Sequence, residues 1–130
     1  MDRRALSDWV DAYERAWREP GVAALDSLFT QEATYRTAPY EEPFLGLPAI
    51  RRMWEAGRSP DEVFSMESET LAVEGEVGVV RVEVRYERPR EQAYRDLWVV
   101  RLGADGRCAS FEEWPFWPPG SGGGWDPGPT

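Results

Sequence analysis

The stretch Val79-Val80-Arg81-Val82-Glu83-Val84-Arg85-Tyr86 decides how this chain folds. Aliphatic and charged residues alternate with period two, so an extended backbone puts Val80, Val82 and Val84 on one face and Arg81, Glu83 and Arg85 on the other. Charged residues are seldom buried without partners, which favours valines inward and charges in water. The other arrangement lines a cavity with the charges, each then paired or hydrogen-bonded. Alternation alone leaves both open.

Outward from this stretch the period of two continues. Strands are expected over about Val63 to Val73, Val77 to Arg88, Tyr94 to Leu102 and Arg107 to Phe116. The connections Glu74-Gly75-Glu76, Pro89-Arg90-Glu91-Gln92 and Ala104-Asp105-Gly106 have hairpin length and turn chemistry, which makes an antiparallel meander.

Upstream the period is helical. Leu6, Trp9, Val10, Tyr13 and Trp17 form the apolar stripe of a first helix that Pro20-Gly21 ends; Val22, Leu25, Leu28 and Phe29 suggest a second, short one. Thr30-Gln31-Glu32 reads as a polar connector to a short strand from Ala33 to Ala38, and Pro39 to Pro43 as a loop leading to Gly46. A third helix starts near Pro48, carries Ile50, Met53 and Trp54, and stops at Gly57. The sum is an α+β domain over residues 1–118, with three helices covering one face of a curved sheet. Residues 119–130 are a Gly/Pro-rich tail with little capacity for regular structure and Trp125 as its one anchor.

Composition bounds the chemistry. With 130 residues the chain is one domain, and seven Trp, five Tyr and five Phe imply a bulky core or a ring-lined pocket. The net charge of -9 argues against nucleic acid and anionic membranes as partners. Without His there is no Ser/His/Asp or Cys/His nucleophile and no imidazole metal site, so acid–base work falls to Asp, Glu, Tyr or Arg. No carboxylate spacing argues for a metal, and no cofactor is expected. Cys108 stands alone and reads as a quiet sheet residue in a reducing compartment. The N-terminus has no signal-peptide pattern and no apolar run reaches membrane length, so a cytoplasmic location is expected.

Leu28-Phe29 before Ala33-Thr34-Tyr35, Phe44-Leu45-Gly46 with Ile50 and Trp54, and Gly103-Ala104-Asp105-Gly106-Arg107 before Phe111-Glu112-Glu113-Trp114 resemble the SnoaL-like branch of the nuclear transport factor 2-like superfamily. The resemblance covers about Ser7 to Pro118 and implies a cone with a pocket between helices and bent sheet. Tyr13 matches the helix-one tyrosine of ketosteroid isomerase. Thr37 and Trp98 stand where that enzyme's acids belong, so its activity is not expected.

Limonene-type epoxide hydrolases are more similar. Their Arg-x-Asp is similar to Arg81-Val82-Glu83, their later aspartate falls at Glu113, and their Tyr and Asn match Tyr35 and Thr37. In these relatives the Arg-x-Asp face is the pocket face. The resemblance therefore implies that Arg81, Glu83 and Arg85 point inward with Asp96, Trp98 and Glu113, walled by Trp17 and Trp54. It leaves Val80, Val82 and Val84, with Leu97 and Val99, as an outer stripe through which the chain forms a homodimer.

The catalytic set so implied is Arg81, Glu83, Asp96 and Glu113, and the ligand-binding set is Tyr13, Trp17, Tyr35, Thr37, Trp54, Arg85 and Trp98. Glu113 would draw a proton from a water held by Tyr35 and Thr37, Glu83 would protonate the substrate oxygen, and Arg81 would orient both acids. The expected function is that of a small-molecule binder, with cofactor-free hydrolase, isomerase or lyase chemistry. The rivals are a non-catalytic ligand binder and an interaction module whose charges form a structural ion network.

Overall fold

A computed structural model describes residues 1–120, so the expectation for Trp125 lies outside the described residues. Helix α1 spans Arg3–Arg18. Asp2 caps it by accepting a hydrogen bond from the Ala5 N–H at 2.8 Å, and Leu6, Trp9, Val10, Tyr13 and Ala16 bury its apolar stripe. The Arg58 guanidinium closes its C-terminal end by donating to the carbonyls of Ala16, Trp17, Glu19 and Gly21. Helix α2 is shorter than its apolar spacing suggests, covering only Leu25–Leu28. Helix α3 runs Leu47–Gly57, with proline in its first turn and Leu47, Ile50 and Trp54 buried.

The sheet has six strands in the order β2-β1-β6-β5-β4-β3, with β1 Phe29–Arg36, β2 Phe44–Leu45, β3 Val63–Glu74, β4 Val77–Arg88, β5 Gln92–Leu102 and β6 Cys108–Phe116. All neighbours are antiparallel except β1 and β6. The expected connector Thr30-Gln31-Glu32 is strand. Phe29 is fully buried opposite Cys108, and the register irregularity between Phe29 and Thr34 lets polar residues sit in an extended segment without entering the core. The short β2 was read as loop, and two residues are too few for an alternation to reveal it.

β4 settles the opening question. Val80, Val82 and Val84 lie in the core at 1, 0 and 5 % exposure, while Arg81 and Arg85 are exposed and Glu83 is half-buried on the opposite face. The inward-charge arrangement implied by the resemblance is therefore overturned, and so is the outer valine stripe. Register supplies the reason. Tyr86 pairs with Gln92 across the hairpin, which sets Val82 opposite Asp96 and Val80 opposite Trp98. Directly opposed residues share a face, so inward Asp96 and Trp98 force the valines inward too; a slip of one residue would reverse every side chain.

α1 lies close over this surface. A Cβ on Gly78 would stand 2.4 Å from Leu6 Cδ2, so any larger residue there would force the buried Leu6 side chain to move. Trp9 anchors the same helix through its indole N–H to the Leu28 carbonyl at 3.0 Å. Tyr13 packs on Trp98 at 4.5 Å between ring centres and on Phe111 at 5.5 Å.

Candidate functional site

The inward rows of β4, β5 and β6 converge on a cleft of about 380 Å³ at the end of the sheet away from Leu6 and Gly78. Strand alternation places its side chains. On β5, Tyr94, Asp96 and Trp98 share the inner face; on β6, Glu113 stands opposite Trp98 and Pro115 opposite Asp96, which makes Asp96 and Glu113 diagonal neighbours. Thr37, just past β1, and Glu62, Tyr86, Gln92, Tyr94 and Trp117 complete the wall, with Pro89 and Arg90 from the β4–β5 turn at the rim.

Asp96 is the one buried charged residue among the described residues, at 2 % exposure. Its Oδ2 accepts the Trp98 indole N–H at 3.0 Å, and its Oδ1 finds no hydrogen-bond partner among the described residues. A buried carboxylate oxygen left without a donor is costly. The neighbouring group able to supply a proton is the Glu113 carboxyl. Burial raises the Asp96 carboxyl to about 6, against the opposing effect of hydrogen bonds from Glu113, Trp98 and the Trp114 backbone. Burial also raises Glu113, well above the usual carboxylate range, and the adjacent Asp96 charge and hydrogen bond add to it. Two carboxyls this close do not both ionise near neutrality: Asp96 carries the charge and Glu113 the proton.

Around the pair the ionisable neighbours are phenols. Burial pushes Tyr94 up strongly and Tyr86 up to about 12, so both are neutral donors at physiological pH. Tyr13 and Tyr35 hydrogen-bond each other through their hydroxyls at 2.6 Å inside the core, and burial followed by the Glu113 charge holds both well above the ordinary phenol value. At the mouth, burial raises Glu62, with a smaller opposing pull from Arg58. The Trp117 ring packs on Tyr94 at 4.6 Å, its indole N–H without a partner among the described residues.

Of the residues singled out in the sequence, Thr37, Asp96 and Glu113 line the cleft, and Trp98 sits behind Asp96 as its donor. Tyr13, Tyr35 and Trp54 are buried core residues behind the wall, and Trp17 stacks edge-on against Trp54 at 4.7 Å. Arg81, Glu83 and Arg85 are corrected. On the outer face Arg81 pairs with Glu69 at 2.7 Å and Arg85 with the half-buried Glu83 at 2.6 Å, separated from the cleft by the sheet itself. Neither the acid assigned to Glu83 nor the orienting role assigned to Arg81 survives that placement.

The mouth residues Glu62, Tyr86, Tyr94, Gln92 and Trp117 escaped the sequence reading. A signal existed for three of them: continuing the alternation of Val82 and Val84 reaches Tyr86, that of Trp98 and Asp96 reaches Tyr94, and that of Glu113 and Pro115 reaches Trp117.

Comparison with known proteins agrees with this architecture. The epoxide hydrolase/cyclase-like enzyme SalBIII, linked to pyran ring formation in the polyether salinomycin, is 19% identical, with a TM-score of 0.71 over 92% of this chain and 95% of that one. A steroid delta-isomerase from Pseudomonas aeruginosa is 20% identical, with a TM-score of 0.65 over 93% of this chain and 85% of its own. An NTF2-like protein of unknown function from Exiguobacterium sp. is 18% identical, with a TM-score of 0.61 over 86% and 98%. At such identities the likeness is one of fold. No curated protein matches the sequence significantly. The SnoaL-like domain description matches residues 10–111, which is most of the chain and takes in β1 to β5 and the start of β6. With most of its curved sheet and covering helices inside that match, the chain belongs to the SnoaL-like domain family.

Proposed function

We propose that this protein binds a small molecule in the cleft and transforms it by acid–base chemistry between Glu113 and Asp96, with no other reacting group required. The observation that carries the reading is the pairing of two carboxyls on the cleft wall, the buried Asp96 and, hydrogen-bonded to it, a Glu113 that burial keeps protonated. In epoxide opening the Glu113 hydroxyl gives its proton to the ring oxygen as the C–O bond breaks. A water or a substrate hydroxyl attacks the carbon, and Asp96 accepts the proton it loses. Glu113 is then ionised and Asp96 protonated, so one proton shift between neighbours restores the starting state. The same pair serves dehydration or proton transfer beside a carbonyl. Compared with the assignment made from sequence, Glu113 changes from base to acid and Asp96 takes the base role.

The test is turnover of a panel of epoxides, β-hydroxy carbonyls and cyclic enones by wild type, Asp96→Asn and Glu113→Gln. Each variant should lose about a hundred-fold or more in rate while ligand affinity stays within a few-fold. Undiminished rates in both variants would overturn the catalytic reading and leave a ligand binder.

The outer face supports the expected homodimer with a changed set of residues. Leu97 and Val99 are half-buried, Trp114 and Phe116 are 40 and 58 % exposed, and all four lie on the face opposite the cleft. Sedimentation should give a dimer at micromolar protein and a monomer for Trp114→Glu; a wild-type monomer would refute it. The buried Cys108, its thiol raised to about 12, fits a reducing, cytoplasmic setting. Among the described residues no helix is long and apolar enough to cross a membrane.

A further inference from the structure

The cleft has a charge balance that constrains its ligand. Three carboxyls line it, Glu62, Asp96 and Glu113, against a single guanidinium, Arg90. Even with one proton retained by the Asp96–Glu113 pair, the cleft carries an excess of negative charge. Arg90 does little to cancel it, because its side chain is exposed and its Nε donates to Gln92 at 3.3 Å. Arg58, whose charge pulls on Glu62, spends its donors on the carbonyls at the end of α1.

The walls around this charge are aromatic. Tyr86 and Tyr94 lie nearly parallel, at 20° and 6.5 Å between centres, and Trp117 continues the row. Such rings attract cations through their faces, and more strongly where water is scarce. The net charge of -9 works in the same direction over longer range, drawing cations toward the cleft and slowing the approach of anions. Asp96 itself is 2 % exposed and takes its hydrogen bond from Glu113, so Arg90 is the one cationic side chain among the cleft-lining residues available to offset the pair.

We infer that the ligand is a cation: a small molecule with a protonated amine, held at the mouth by the Glu62 carboxylate and the Tyr86, Tyr94 and Trp117 rings, while its other end reaches Asp96 and Glu113. The inference rests on the ligand-binding reading above and names the class of molecule it takes. Recognition and reaction are divided along the cleft, with Glu62 selecting the charge and the deeper pair acting on the uncharged end.

The experiment is calorimetric titration of the full chain with phenylbutylamine, phenylbutanol and phenylbutyrate, three probes of one length that differ in head-group charge. The amine should bind about ten-fold tighter than the alcohol at low salt and the carboxylate weakest, with the amine advantage shrinking as salt rises. Glu62→Gln should remove that advantage and leave the alcohol unchanged, and Arg90→Ala should enlarge it. Thermal melts of each variant check that it is folded. An amine that binds no better than the alcohol overturns the inference, as does a preference that survives Glu62→Gln or binding by none of the three. Each of those results leaves the Asp96→Asn and Glu113→Gln turnover test intact, so the two readings fail separately.

Discussion

Replacing Asp96 by asparagine should change how the stability of this protein depends on pH. In the folded chain the Asp96 carboxyl is raised by burial from 3.8 to about 6. Between those two values the folded state holds a proton that the unfolded chain has released, so stability falls as pH rises. The contribution is complete below about pH 4 and lost as pH passes through about 6. That difference in proton affinity is worth roughly 3 kcal/mol, at about 1.4 kcal/mol per pH unit. Asparagine cannot ionise, yet its amide keeps an oxygen for the Trp98 indole and turns an N–H₂ toward the cleft. Denaturant unfolding of both proteins from about pH 4 to pH 8 should therefore give similar stabilities at the acid end, with Asp96→Asn gaining up to roughly 3 kcal/mol over wild type at the neutral end. Taking the difference between the two curves cancels the titration of the many surface carboxylates they share. Parallel curves, or a wild type that gains on the variant as pH rises, would show that Asp96 is neither desolvated nor short of a proton.

Two further substitutions probe the frame that holds the pair. Val82→Ala should cost about 2 kcal/mol or more, because Val82 is fully buried opposite Asp96, whereas Arg81→Ala should cost under about 1 kcal/mol, since the Arg81–Glu69 pair is exposed; the reverse ranking in urea unfolding would mean that β4 presents its other face to the core. Gly78→Ala should cost about 1–3 kcal/mol by pressing on Leu6. Leu6→Ala in the same chain should recover part of that cost, and strict additivity of the two changes would refute close packing of α1 on β4.

Much of the fold can be read in the sequence because its periods are long and clean. The alternations in β4 and β5 and the stripe from Leu6 to Tyr13 each span enough residues to fix an element and its apolar set. The short pieces cannot be read so. Thr30 to Glu32 is a polar run inside β1, held between Phe29 and Thr34, whose parallel partners on β6 are non-local. The site is divided in the same way. Asp96, Glu113 and Thr37 could be placed near a cleft, but deciding which face of β4 joined them required the hairpin register, one residue of which reverses the answer. The resemblance to Arg-x-Asp enzymes carried the wrong face because it matched residue types along a strand without fixing that register. The pKa order within the pair was equally hidden in the sequence, since it follows from burial and from the Trp98 indole.

The account depends on a proton retained between Glu113 and Asp96 inside the cone. Carbon-13 NMR of side-chain carboxyls, assigned through the Asp96→Asn and Glu113→Gln variants, follows that proton directly. Asp96 should titrate at about 6, with Glu113 still protonated at neutral pH. If both carboxyls instead titrate near about 4, as free side chains do, the pair is solvated, no acid is stored in the cleft, and the proposed chemistry is wrong.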